Sequence, residues 1–276
     1  MSWYYTREPG QDGTILTEDG SPPGVDLATL LDRERPPLKA ALEIGSALAD
    51  ILTIAEEDEV VHGDIKPGYV FVDAEGGISL EGFGQPRRTT RAPEGRPQGA
   101  RTDVFGLGVV LHSMLSSEPL GRLPRDPDAH DDAIVQRVVG MDFSELKGRR
   151  WLEDVHRFLC TIMAHDLLER PEPLDAANVL NVVAGQCPGN GLAIWAPRAV
   201  RLAGGRGGAA SRAPIRETLD RPAAMERPMP QGSTGNFQKN SRQAPSTKGE
   251  TTQFWTREKI DALMAEEDEE ELAQPS

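Results

Sequence analysis

Cysteine is scarce in this chain of 276 residues: Cys160 and Cys187 stand far apart and match no metal-ligand spacing. That argues for a reduced, intracellular setting in which both thiols pack rather than react. Long hydrophobic runs are missing as well. No apolar stretch follows a basic start at the N-terminus, and none approaches the roughly 20 residues needed to cross a bilayer, so a cytoplasmic location and no membrane partner are expected. A positive charge balance is also lacking. With a net charge of -14 and a pI near 4.9, most of the surface would repel a polyanion, which argues against a general nucleic-acid binder.

What is present fits a soluble protein with one sizeable core, at 38% apolar and 27% charged residues. The charge is uneven. Lys and Arg outnumber acids from about residue 198 to 259, whereas Glu266 to Glu271 is an uninterrupted acidic block, the pattern of a solvated tail.

Residues 1 to 24 open on Trp3-Tyr4-Tyr5 and continue in Gly, Asp, Thr and Pro, enough for a short hairpin at most and little core. Apolar residues at helical spacing predict two helices, one in the stretch from Val25 to Leu31 and one from Leu38 to Ala55 after Pro36-Pro37. Strand-like runs at 69–72 and 78–80, with Glu75-Gly76-Gly77 between them, predict a hairpin. From Asp103 to Leu115 the chain is apolar nearly all round, the signature of a helix buried on every side. Further helices are expected at 131–139, 152–164 and 174–184. Beyond Cys187 the composition turns to Gly, Arg, Pro, Ser, Thr and Gln, so 188–253 is expected to be a disordered linker. Phe254 to Met264 regains helical spacing and predicts a short amphipathic helix ahead of the acidic tail, 254–276 in all.

One constellation carries chemistry. His62-Gly63-Asp64-Ile65-Lys66-Pro67 is followed by Gly82-Phe83-Gly84, Ala92-Pro93-Glu94, Asp103-Val104-Phe105-Gly106-Leu107-Gly108 and Asp166-Leu167-Leu168-Glu169-Arg170-Pro171. In this order and rough spacing they resemble the catalytic loop, the D-F-G and A-P-E motifs, the central helix and the late D-x-x-x-R-P element of the protein kinase C-lobe. The resemblance covers roughly residues 25 to 185. It implies an α+β, protein-kinase-like fold: mainly the helical C-lobe (25–187), a vestigial N-lobe or hinge segment (1–24), and a disordered C-terminal tail.

Phosphoryl transfer needs metal ions across the phosphates, an aspartate for the hydroxyl proton and a lysine on the nucleotide. By resemblance Asp64 holds the position of the catalytic aspartate and Lys66 that of the lysine contacting the transferring phosphate. The metal ligands are exchanged. Tyr69 stands where the family has Asn, a neutral phenol poorly suited to magnesium, and Gly82 replaces the D-F-G aspartate. Glu81 is adjacent, but in a strand it should point to the opposite face. The first lysine is Lys39, inside a predicted helix, so no candidate pairs with the nucleotide phosphates; Gly10, Gly13, Gly20 and Gly24 do not form G-x-G-x-x-G. Only Gln85 to Arg91 separates Gly84 from Ala92, a short activation segment in which Arg87, Arg88 and Arg91 flank Thr89 and Thr90; a solvated basic loop is favoured there over a phosphorylation switch.

The remaining motif residues have structural roles by resemblance. Glu94 and Arg170 would form a buried ion pair, and Asp103 would accept backbone hydrogen bonds from the loop at His62. His112, His130, His156 and His165 show no triad or metal spacing. The sequence thus reads as a pseudokinase acting through protein partners bound by the C-lobe surface and the C-terminal helix, with Asp64 and Lys66 vestigial or weak. It implies no cofactor. The alternative is a divergent Ser/Thr kinase, for which ATP and Mg would be required and a second chain would complete the nucleotide site; a third is a kinase gene that lost its front half. High Arg, Ala, Gly and Pro suit a bacterial source. Oligomeric state is not legible.

Overall fold

The computed structural model of the chain describes residues 3–9, 15–19, 21–83, 90–144 and 152–204. Its elements run β1 (Trp3–Arg7), β2 (Ile15–Asp19), β3 (Val25–Asp26), α1 (Leu27–Leu31), α2 (Leu38–Glu57), β4 (Val70–Val72), β5 (Ile78–Phe83), α3 (Ala100–Leu115), α4 (Pro127–Val139), α5 (Leu152–Ile162), α6 (Pro173–Gln186) and α7 (Leu192–Leu202). The architecture is α+β: a helical body with one antiparallel sheet on its flank. No helix among the described residues is long and apolar enough to cross a membrane.

Helix α2 starts directly after Pro36-Pro37, where fixed φ angles set up the first turn, and its Ala- and Leu-rich sequence favours the helical backbone. Helix α3 is buried from Thr102 through His112, as an all-round apolar pattern requires. These two helices and α6 pack on one another around a continuous core that includes Leu42, Ile51, Phe105, Leu111 and Leu180. Helix α4 begins four residues ahead of the predicted 131–139 segment because Asp126 accepts the Ala129 N–H and Pro127 occupies the first helical position. The stretch from Val25 to Leu31 is strand for two residues and helix only from Leu27. There the carboxylate of Asp26 accepts the Thr29 N–H and sets the helix start.

The sheet is larger than the predicted hairpin. Strands β4 and β5 pair in register Val70↔Leu80 and Val72↔Ile78, β3 adds to β4, and β1 adds to the free edge of β5, giving the order β2-β1-β5-β4-β3. The N-terminal hairpin is therefore joined to the body, and its contribution to the core exceeds the little expected from residues 1 to 24. Tyr4 and Tyr5 are buried, and the Tyr5 ring meets Phe83 edge-on at 4.8 Å. Below it the Tyr5 hydroxyl donates to Asp58 at 2.7 Å, Thr6 and Ser79 share a buried hydroxyl–hydroxyl bond of 2.6 Å, and Arg7 pairs with Asp50 at 2.7 Å. An edge strand exposes a row of unpaired amides and carbonyls, and β1 supplies their partners.

The expected disordered linker, 188–253, does not hold at its start. Residues 192–202 form α7, which packs on α2 through Trp195, Ala196, Ala199 and Val200. Pro197 and the flanking glycines mask the helix in the sequence, yet its small residues and one large aromatic complete an apolar face, and burying that face outweighs the backbone hydrogen bond removed by Pro197. Its N-terminus is capped from outside, since the Glu43 carboxylate on α2 accepts the Leu192 N–H. Replacing Glu43 by Ala should lower stability by about 1 kcal/mol, as removal of a cap does; urea denaturation reads this, and unchanged stability would show that the contact does not hold α7. Residues 205–276 lie outside the described residues, so the remainder of the expected linker and the 254–264 helix are not addressed by the structure.

Candidate functional site around the His62 loop

The loop from His62 to Tyr69 leaves α2 and enters β4, ending in a single 3-10 turn at Pro67–Tyr69. It is bolted to the first turn of α3. Asp103, only 2% exposed, accepts the backbone N–H of His62 at 2.7 Å and of Gly63 at 2.6 Å. Burial pushes the Asp103 carboxyl up to about 7, against the two amide bonds that hold it down. One turn further, α3 passes so close to the loop that a Cβ at Gly106 would fall 2.7 Å from Cβ of Ile65, which explains glycine at this point of a buried helix.

His62 is buried and uses both ring nitrogens. Its Nδ1 lies 3.2 Å from the Asp64 N–H, which donates to it, so Nε2 carries the proton and donates to the Glu81 carbonyl at 2.8 Å. The ring also meets Phe83 edge-on at 5.0 Å. The loop is thereby tied to β5 and, through the Tyr5–Phe83 contact, to β1.

Asp64 and Lys66 lie together at the surface. The Lys66 ammonium donates to the Asp64 carboxylate at 2.8 Å and sits 4.6 Å from the centre of the Tyr69 ring. Side-chain exposures of 48% for Lys66 and 28% for Asp64 leave the pair solvent-screened, so it adds about 0–1 kcal/mol to stability. Tyr69 thus receives a cation, though through its ring face rather than an oxygen. Gly82 lies in β5 with φ +105°, a backbone that L side chains rarely adopt. An aspartate there would be strained. Glu81 is partly exposed, and its carbonyl rather than its carboxylate is what the structure brings to the loop. Among the described residues no three His, Cys, Asp or Glu side chains are grouped so as to hold a metal ion.

A second anchor lies beneath. Arg170 is fully buried and donates to both Glu94 oxygens at 3.1 and 2.9 Å, to the carbonyls of Ala164, Arg101 and His165, and lies over the Phe105 ring at 5.0 Å. Thr102 adds a hydroxyl bond to Glu94 at 2.6 Å. Burial alone would raise the Glu94 carboxyl, but the Arg170 and Thr102 hydrogen bonds outweigh it and the group ends below the usual carboxylate range. Arg101 joins the same corner by pairing with Glu172 at 2.6 Å. Thr102 and Arg101 are the partners the sequence reading missed; their only signal is position, immediately before Asp103.

The other single residues pack. His112 and His130 are buried, His130 donating through Nε2 to the Met163 carbonyl at 3.1 Å, and burial pushes His112 down to about 4. Cys187 is buried and Cys160 half-buried, its thiol pushed up to about 11 by burial. Arg91 is exposed, and the Thr90 hydroxyl accepts the Ala92 N–H at 3.3 Å. Gly84, Gln85, Arg87, Arg88 and Thr89 lie outside the described residues.

No family model matches the chain. Its homologues among characterised proteins are bacterial serine/threonine protein kinases. It is 33% identical to the serine/threonine-protein kinase PkaB of Streptomyces coelicolor, over 42% of this chain and 33% of that protein. Against PknA of Corynebacterium glutamicum the identity is 29%, over 42% of this chain and 28% of PknA. Against PknB of Mycobacterium tuberculosis it is 27%, over 35% of this chain and 19% of PknB. The chain therefore spans about a third or less of the length of the curated relatives it matches.

Proposed function

We propose that this chain is a kinase-like binding module, a pseudokinase in which phosphoryl transfer is lost or very weak and which works by holding protein partners. One observation carries the reading: the position that would supply the principal metal ligand is Gly82, at the register shift between β1 and β5 and at a φ that disfavours any side chain. Tyr69 at the second ligand position supports it, since a neutral phenol binds magnesium poorly. Without a divalent cation across the phosphates, the developing charge of transfer has no partner, and Asp64 alone cannot supply the missing electrostatics. Lys66 is engaged with Asp64 and the Tyr69 ring, which neutralises the charge of the Asp64 carboxylate locally.

The resemblance to serine/threonine kinases keeps one alternative in view: a divergent kinase using Asp64 and Lys66. Titration of the full chain with magnesium-ATP separates the two. The binding-module reading expects no rise in Tm at saturating nucleotide and no phosphate incorporation. Incorporation that disappears in Asp64→Asn would overturn it in favour of the enzyme.

A further inference from the structure

Among the described residues large apolar side chains are exposed at Val61, beside the His62 loop, and in three pairs: Val135 and Val139 on α4, Leu168 with Leu174 ahead of and at the start of α6, and Ile194 and Leu202 on α7. Their electrostatic surroundings differ. Exposed Asp128 and Asp132 share α4, and Asp166, Glu169, Glu172 and Asp175 surround the second pair. On α7 the neighbours are Arg201, exposed, and Arg198, which pairs with Glu34. Residues 194, 198, 201 and 202 follow the spacing of one helical face, opposite the face that Trp195, Ala196 and Ala199 bury against the body. Helix α7 thus carries a basic, apolar outer stripe on a protein whose net charge is -14.

The chain itself encodes a complement: Phe254, Trp255, Ile260, Leu263 and Met264 followed at once by Glu266 to Glu271. We propose that residues 254–271 dock in cis on the outer face of α7, the apolar residues against Ile194 and Leu202 and the acidic block against Arg201. The two acidic apolar patches repel this segment; the α7 stripe attracts it. Tethering makes a small contact sufficient. Read as the linker that the sequence predicts, a connection of the length of 205–253 spans roughly 40 Å by coil statistics, which corresponds to an effective concentration of about 1 mM. A contact far too weak to form between separate molecules would be occupied within one. Docking would withhold the 254–264 segment from partners until something competes for it. This inference does not depend on the loss of phosphoryl transfer, and an active chain in the nucleotide experiment would leave it standing.

Hydrogen exchange on the full chain, read by mass spectrometry at micromolar concentration, tests it. Ile260→Asp with Leu263→Asp should speed exchange of the α7 peptide at least about 5-fold while α2 stays unchanged. Reciprocally, Ile194→Asp with Arg201→Glu, both at exposed positions, should speed exchange across 254–264. High salt should do the same to both. Unchanged α7 exchange in the tail variant would overturn the proposal. So would protection of α7 that fades on dilution, which would mark a contact between copies. Loss of tail protection on replacing Arg206, Arg212 and Arg216 but not Ile194 and Arg201 would also overturn it, placing the acidic block on its own connection.

Discussion

Replacing Arg170 by Leu should reduce the free energy of unfolding by roughly 3–5 kcal/mol, the cost of removing one partner of a buried ion pair and leaving the other charge uncompensated. Glu94 would keep the Thr102 hydroxyl but lose its countercharge, and the carbonyls of Ala164, Arg101 and His165 would lose the Arg170 donor in a site with no exposure at Arg170. For a domain of this size the loss corresponds to a fall in Tm on the order of 10 °C. Replacing Glu94 by Leu instead orphans the guanidinium, so the double variant should lose clearly less than the sum of the singles. A chemical denaturation cycle measures this; additive losses would mean that the two groups do not act as a pair. The pH dependence has a definite sign. Glu94 is held below its unfolded value, so its contribution is present above about pH 4 and disappears as the pH falls through its folded pKa.

Asp103 governs the second large effect and titrates in the opposite sense. Replacing it by Ala orphans two buried amides, those of His62 and Gly63, and should cost about 2–5 kcal/mol. Asn retains one acceptor and should cost about 1–3 kcal/mol in mildly acid solution. Because burial raises the folded Asp103 carboxyl to about 7, above its unfolded value, its favourable linkage is complete below about pH 4 and is lost as the pH rises through 7. The advantage of the native chain over Asp103→Asn should therefore shrink, by an amount on the order of a few kcal/mol, between pH 4 and pH 8. Unfolding curves of both proteins at several pH values measure the difference. A constant gap would mean that the two amide bonds keep the carboxylate ionised throughout.

Both effects concern the frame beneath the loop rather than the groups at its surface. Asp103 fixes the backbone of His62 and Gly63, His62 fixes Glu81, and Arg170 fixes the segment that ends at Glu94. Asp64 and Lys66 stand in the open, screened and weakly held. Stability resides in the buried anchors, while the exposed pair is free to change with little cost to the fold.

Much of this was legible in the sequence. Periodicity placed α2, α3, α5 and α6 to within a few residues, because each helix hides an apolar face whose spacing is local. Five short motifs in order located the loop and the segments carrying Asp103, Glu94 and Arg170, whose chemistry is carried by residue type. The addition of β1 to β5 was not legible, since pairing between residues so far apart leaves no local pattern. Helix α7 escaped for a related reason: judged alone, Leu192 to Leu202 is short and interrupted by Pro197, and only the surface of α2 makes it a stable helix.

Sequence alone determined which groups are available: an aspartate and a lysine two residues apart, and a glycine and a tyrosine at positions where the kinase resemblance would place metal ligands. Those identities cannot be altered by folding. Tertiary structure decided what each can reach. It turned Lys66 onto Asp64 and the Tyr69 ring, and set Gly82 at a backbone angle hostile to a side chain. It also laid β1 and α7 against the body. The reason is physical: composition is written one residue at a time, whereas distance and burial arise only when segments remote in the chain exclude water together.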